Sequence, residues 1–102
     1  MPYIEPARRV ALLEDLGIAH DSNGKVRPAH RPVPRFLSPG ELNFAISALL
    51  HEYTYENKRN YATLSAAAAQ AQHAATEFYR TVVAPYEDVK KRENGNVSGL
   101  DT

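Results

Sequence analysis

The stretch Glu77-Phe78-Tyr79-Arg80-Thr81-Val82-Val83-Ala84-Pro85-Tyr86-Glu87-Asp88 gathers side chains that make oriented, charge-assisted contacts. A guanidinium fork takes phosphate or carboxylate in bidentate fashion, and a tyrosine ring stacks on a base or a guanidinium. Tyr79, Arg80 and Tyr86 therefore form the first candidate ligand-binding group. The alternative is an internal lock, in which Arg80 pairs with Glu87 or Asp88 and pins the end of the chain.

A second basic group lies earlier. Lys25, Arg27, His30, Arg31 and Arg35 occupy a stretch with no acidic residue between Asp21 and Glu41. Arg31 and Arg35 are the forks here that could meet an anion. Phe36 is the only aromatic among them, so the stacking platform of a single-strand nucleic-acid binder is missing. Read structurally, the same stretch is a solvated loop, or an arm that wraps a neighbouring subunit. Tyr53, Tyr55 and Tyr61, beside Lys58 and Arg59, make a third group. Tyrosines with one apolar and one polar end suit either an interface or a core corner.

The familiar catalytic sets are absent. His73 and Glu77 are one helical turn apart, but two ligands on one helix fall short of the three a catalytic zinc needs. His51-Glu52 has no second histidine four residues on. There is no Gly-x-Ser-x-Gly and no phosphate-cradling glycine loop. Ser38 is explained as a helix cap. No metal, cofactor or catalytic residue is assigned. Glu52, Glu77, Glu87 and Asp88 could together hold Mg²⁺ for a nucleotide hydrolase, but they form no recognisable helix–helix motif.

Helices must position these groups. Pro6 suits a first helical turn and Gly17 a stop, so residues 6–16 read as a short helix with Val10 and Leu13 on its apolar stripe. Asp21-Ser22-Asn23-Gly24 is turn chemistry, and Pro28, Pro32 and Pro34 favour an extended path. Ser38-Pro39-Gly40-Glu41 is a capping box. After it, Leu42, Ala45, Ile46, Leu49, Leu50 and Tyr53 repeat as one face of an amphipathic helix that fades around residues 53–57. Tyr61, Leu64, Ala68, Ala71, Ala75 and Phe78, with Val82 next in the series, continue a 3–4 spacing through an alanine-rich run. Small residues let a partner helix approach closely, so these six are the candidate interface. Pro85 predicts a stop or kink, because a continuing helix would lose a hydrogen bond and clash with the Thr81 carbonyl. A last short helix should run from Tyr86 to Asn94 and end at Gly95.

The totals set bounds. A chain of 102 residues with no cysteine is one domain without disulfides or thiolate sites. The reading is a single helical domain over 1–97, with 20–37 as a basic loop and 98–102 as a flexible tail. Twelve basic and twelve acidic residues cancel, so no global field draws the chain to nucleic acid or membrane. No signal-peptide layout or membrane-length apolar run is present, so a protein of the cytoplasm of the cell that makes it is expected. The fold class is all-α, with two of these helices expected to form an antiparallel hairpin. One hairpin and a short helix cannot cover both sides of the long seam, which predicts a homo-oligomer, most simply a dimer.

Three blocks, Met1-Pro2-Tyr3-Ile4, Ser38-Pro39-Gly40-Glu41-Leu42-Asn43-Phe44-Ala45-Ile46, and Glu77 to Asp88 with Glu93-Asn94-Gly95-Asn96-Val97, occur in that order. Together they resemble a family of short, uncharacterised proteins of tailed phages and prophage-bearing bacteria. The resemblance implies a phage context and carries no catalytic role. It departs at 20–37, which looks inserted, and at Ser65–Ala75, which is richer in alanine. Three functions follow as expectations. The first is a binding protein that sequesters an anionic, nucleotide-like signal of host defence. The second is a module that inhibits or regulates a host or phage enzyme. The third is the metal-dependent hydrolase above.

Overall fold

The computed structural model describes residues 4–101. Met1-Pro2-Tyr3 of the first block and Thr102 of the expected tail lie outside them. The fold is all-α, with α1 over Pro6–Leu16, α2 over Pro39–Glu56, α3 over Tyr61–Phe78 and α4 over Ala84–Asn94. Among the described residues there is no strand, only one antiparallel bridge between His20 and Val26. Where the sequence suggests one domain, contacts divide the chain into two compact units, Met1–Glu41 and Leu42–Thr102.

In the first unit, α1 begins at Pro6 and stops at Gly17, as the sequence predicts. Gly17 takes the left-handed conformation at φ 70°. Its N–H donates to Glu14 O at 3.1 Å, and the Ile18 N–H donates to Leu13 O at 2.9 Å. This is the double closure of a Schellman end, which needs a residue free of the Cβ penalty at positive φ. Residues 19–27 fold back on themselves. Asp21 N donates to Lys25 O at 2.9 Å and Arg27 N to Ala19 O at 2.8 Å. The Asp21 carboxylate accepts from the amides of Asn23 and Lys25, both at 2.9 Å. Gly24, at φ 76°, closes this turn against α1: a Cβ there would stand 2.6 Å from Arg9 Cβ.

The capping box forms. Glu41 N donates to Ser38 Oγ at 3.2 Å, and Glu41 Oε1 accepts from the amides of Ser38 and Leu37. Side chains thereby satisfy amides that the helix start leaves without carbonyl partners. In the second unit, α3 is capped by Asn60, whose side chain accepts from Thr63 N at 2.9 Å.

The apolar stripes end up in a different place from the one their spacing suggests. Ala67, at 8% exposure, is the single buried residue among those described. Leu50 and Thr54 of α2 and Ala66 of α3 are half-buried. Leu42, Ile46, Leu49 and Tyr53, the stripe of α2, stay exposed. The backbones of α2 and α3 remain more than 8 Å apart at every Cα. The close approach that the alanines permit is therefore unused within the chain.

Candidate functional site

The Tyr/Arg cluster sits where the helical ladder changes register. Tyr79–Val83 form one π-helical turn between α3 and α4. A continuing α-helix would need an N–H from residue 85 for Thr81 O, and Pro85 has none. The ladder widens instead, and the Ala84 N–H donates to Tyr79 O, five residues back. Phe78, Tyr79, Val83 and Ala84 all keep right-handed helical angles. The interruption expected at Pro85 thus takes the form of a wide turn, not a stop, and Pro85 falls in the first turn of α4.

This turn fixes the cluster's geometry. The Tyr79 hydroxyl donates to Glu87 Oε2 at 3.2 Å. That bond, with the negative charges of Glu87 and Asp88 nearby, raises the Tyr79 pKa above its ordinary value. Arg80 is not locked to Glu87 or Asp88, the partners the sequence suggests. Its Nη1 meets Glu77 Oε2 at 3.3 Å, one turn back on the same face, while Glu87 is held by Tyr79. Lys90 Nζ lies 5.7 Å from the centre of the Tyr86 ring, within cation–π range. The Tyr86 side chain is otherwise open, at 63% exposure, and Arg80 is exposed too. Sequence reasoning missed Lys90 as the partner of Tyr86, although the i,i+4 spacing was there to read.

Arg31 and Arg35 belong to the other unit and have different work. Arg31 Nη2 donates to Gly17 O at 2.7 Å, Arg35 Nη2 to the same oxygen at 2.7 Å, and Arg35 Nη1 to Leu16 O at 3.1 Å. Two guanidinium groups thus close the carbonyl end of α1, where unsatisfied acceptors and the negative end of the helix dipole favour cations. The proline-rich stretch is the strap that carries them there. The forks expected to face a free anion are engaged with main-chain oxygens. A shallow hollow of about 530 Å³ opens beside them, with Ile18, Val26, Pro34 and Phe36 among its walls.

The remaining groups are dispersed. His20 Nδ1 lies 2.9 Å from Ile18 O, and its Nε2 lies 3.8 Å from Glu14. Among the described residues no three His, Asp or Glu side chains gather as metal ligands. Of the four carboxylates considered for Mg²⁺, Glu77 and Glu87 are engaged by Arg80 and Tyr79. Tyr55, Arg59 and Leu64 line a hollow of about 460 Å³ at the corner between α2 and α3, floored by Ala67 and Ala68. Of the candidate interface, Tyr61 (85%), Leu64, Ala68, Ala75 and Phe78 (60%) are exposed, and Ala71 is half-buried. No helix among the described residues is long and apolar enough to cross a membrane.

Neither a curated protein nor a solved structure matches the chain. A family model does, over residues 1–97, a span that holds both the arginine-closed end of α1 and the whole π turn. The chain belongs to the family described as Domain of unknown function (DUF6899).

Proposed function

We propose that the protein acts by binding, as a phage or prophage accessory protein in the host cytoplasm. In this reading it is a small oligomer that sequesters an anionic, nucleotide-like signal of host defence at the π turn. One observation carries the proposal: Tyr79, Arg80 and Tyr86 stand exposed on or beside the one-turn π segment Tyr79–Val83, where the helical ladder departs from i→i−4. Single-turn π segments recur at functional sites. Arg80 supplies the fork for phosphate, exchanging Glu77 for the ligand, and the open face of Tyr86 supplies stacking. Arg31 and Arg35 hold α1 in this reading and are not part of the ligand face.

A thermal-shift screen against cyclic and linear nucleotides tests it. A ligand at a hundred times its dissociation constant adds about 2.7 kcal/mol of stability. Arg80→Ala should abolish that shift, and heating should release the ligand chemically unchanged. A ligand recovered hydrolysed, with turnover lost to a chelator, would make the protein an enzyme and end the proposal.

A second reading rests on a separate observation. The stripe Leu42, Ile46, Leu49 and Tyr53 is left uncovered along α2, and Phe44 beside it is 75% exposed. Helix faces of this kind dock in the grooves of protein partners. On this reading the protein is a module that inhibits or regulates a host or phage enzyme. A lysate pull-down that Ile46→Asp abolishes, with no nucleotide-induced shift, would favour it over sequestration.

A further inference from the structure

The backbones of α2 and α3 stay more than 8 Å apart. Alanine stands at 67 and 68, where a larger side chain would fill the gap. The result is the hollow of about 460 Å³ at the corner between the two helices. Its bed is apolar: the buried Ala67, Ala68, Leu64 and the half-buried Leu50. His51, Tyr55 and Arg59 are among its polar edges. An apolar bed with a few convergent polar groups, at roughly 300–1,000 Å³, is the usual build of a small-molecule site.

Charge selects the occupant. No aspartate or glutamate lines the hollow, and Arg59 brings its one permanent charge. Glu52 and Glu56 stand two positions beyond Leu50 and Thr54, which helical spacing sets on the opposite side of α2. The α3 wall is uncharged, since no Asp, Glu, Lys or Arg occurs from Tyr61 to Thr76. Arg59 is exposed, and among the described residues its guanidinium has no hydrogen-bond or ion-pair partner. Arg80, by contrast, is paired with Glu77, and Arg31 and Arg35 close the end of α1. The ring of Tyr55 stands open at 85% exposure.

One unpaired guanidinium, one open aromatic face and an apolar bed match a flat aromatic ring that bears one carboxylate. The fork takes both carboxylate oxygens, and a single charge meets a single charge with no ion left over. A phosphomonoester brings about two charges, and the second would go unmatched. We propose that this hollow is a binding site for small aromatic carboxylates, with Arg59 as the anion fork and Leu50, Leu64 and Ala67 as the bed for the ring. The site shares no residue with the one proposed at the π turn and does not rest on that reading.

The chain has no tryptophan, so the fluorescence of 2-naphthoate can be titrated without indole background. The probe should saturate at one per chain. Its neutral analogue 2-naphthamide should bind about tenfold more weakly or worse, the loss expected for a charge-assisted hydrogen bond. Arg59→Ala should weaken 2-naphthoate by a similar factor, and Arg59→Lys should recover only part, because an ammonium lacks the fork. Ala68→Phe, at an exposed position, should fill the hollow and abolish binding. Arg80→Ala should leave the affinity unchanged. In the unmodified protein, NMR shifts on titration should move the amides of Leu64, Ala67 and Ala68 and not those of Tyr79–Val83. Where a variant loses far-UV helicity, these shifts decide. Failure to saturate at millimolar probe, equal affinity for acid and amide, or binding lost with Arg80→Ala would each overturn the proposal.

Discussion

Tyr79 donates its hydroxyl hydrogen to Glu87 Oε2 at 3.2 Å, tying the start of the π turn to the first turn of α4. The bond holds only while the phenol keeps its proton. Deprotonation would remove the donor and set a second negative charge beside Glu87 and Asp88, which is why the Tyr79 pKa is raised. A raised folded pKa means that the contribution is fully present below the unfolded value near 10 and is lost as pH rises through the folded pKa. The stability difference between the natural protein and Tyr79→Phe should therefore be constant to about pH 9 and shrink above about pH 10. Urea denaturation at a series of pH values checks this. Identical alkaline slopes for both proteins would show that the bond does not form in solution.

Asp21 gives the opposite sign. Its carboxylate accepts from the Lys25 amide and also from Asn23, and these bonds lower its pKa. The contribution is present above the unfolded value of about 4 and disappears as pH falls through the lowered one. Amide protection at Asn23 and Lys25 should drop in that acid window. In Asp21→Asn, protection at the two amides should no longer change there.

Arg35 is bidentate on the end of α1, and the Lys side chain cannot reproduce that fork. Arg35→Ala should cost about 1 kcal/mol, in the range of one exposed charge-assisted hydrogen bond, and Arg35→Lys should recover less than half. Hydrogen exchange at Gly17 and Ile18 should accelerate in parallel. An unchanged exchange rate would mean that the Schellman closure suffices alone.

Two glycines of the first unit should respond with opposite signs. Gly24 has positive φ and no room for a methyl group beside Arg9, so Gly24→Ala should destabilise by about 2 kcal/mol. Gly40 lies in the first turn of α2, and its added Cβ would meet only Ser38 Oγ at 3.8 Å. Gly40→Ala should stabilise by about 0.5–1 kcal/mol through the unfolded chain. Thermal melts of the two variants decide, and shifts of equal sign would contradict the local geometry.

Pro85→Ala supplies the missing N–H for Thr81 O. The turn at Tyr79–Val83 should relax toward a regular α ladder, with higher far-UV helicity and a gain of about 1 kcal/mol, part of the ~3 kcal/mol that proline costs inside a helix. If the wide turn positions Tyr79 and Arg80 for a ligand, affinity should fall even as stability rises. Unchanged helicity would place the origin of the turn in the Tyr79–Glu87 bond and not in the proline.

What the sequence determined by itself is what is local. The span of α1 from Pro6 to Leu16, its stop at Gly17, the Ser38–Glu41 box and the irregularity before Pro85 all depend on partners within about one helical turn, so residue type and spacing carry them. The Tyr/Arg cluster was legible as a candidate for the same reason, but its pairing was not. The Tyr79–Glu87 bond spans eight residues, beyond the reach of i,i+3 and i,i+4 rules, and it leaves Glu87 engaged, while Arg80 meets Glu77 at i,i+3, a partner that regular spacing does offer.

Tertiary structure alone decided the rest. Arg31 and Arg35 reach Gly17 O across 14 and 18 residues, and no periodicity encodes a proline-rich path that bends back onto a helix end. The face of α3 that is covered was equally hidden, since alanines surround the helix and burial at Ala67 depends on where α2 lies. Spacing says which faces could be buried; only the chain's path says which one is, and it leaves the seam from Tyr61 to Phe78 largely open.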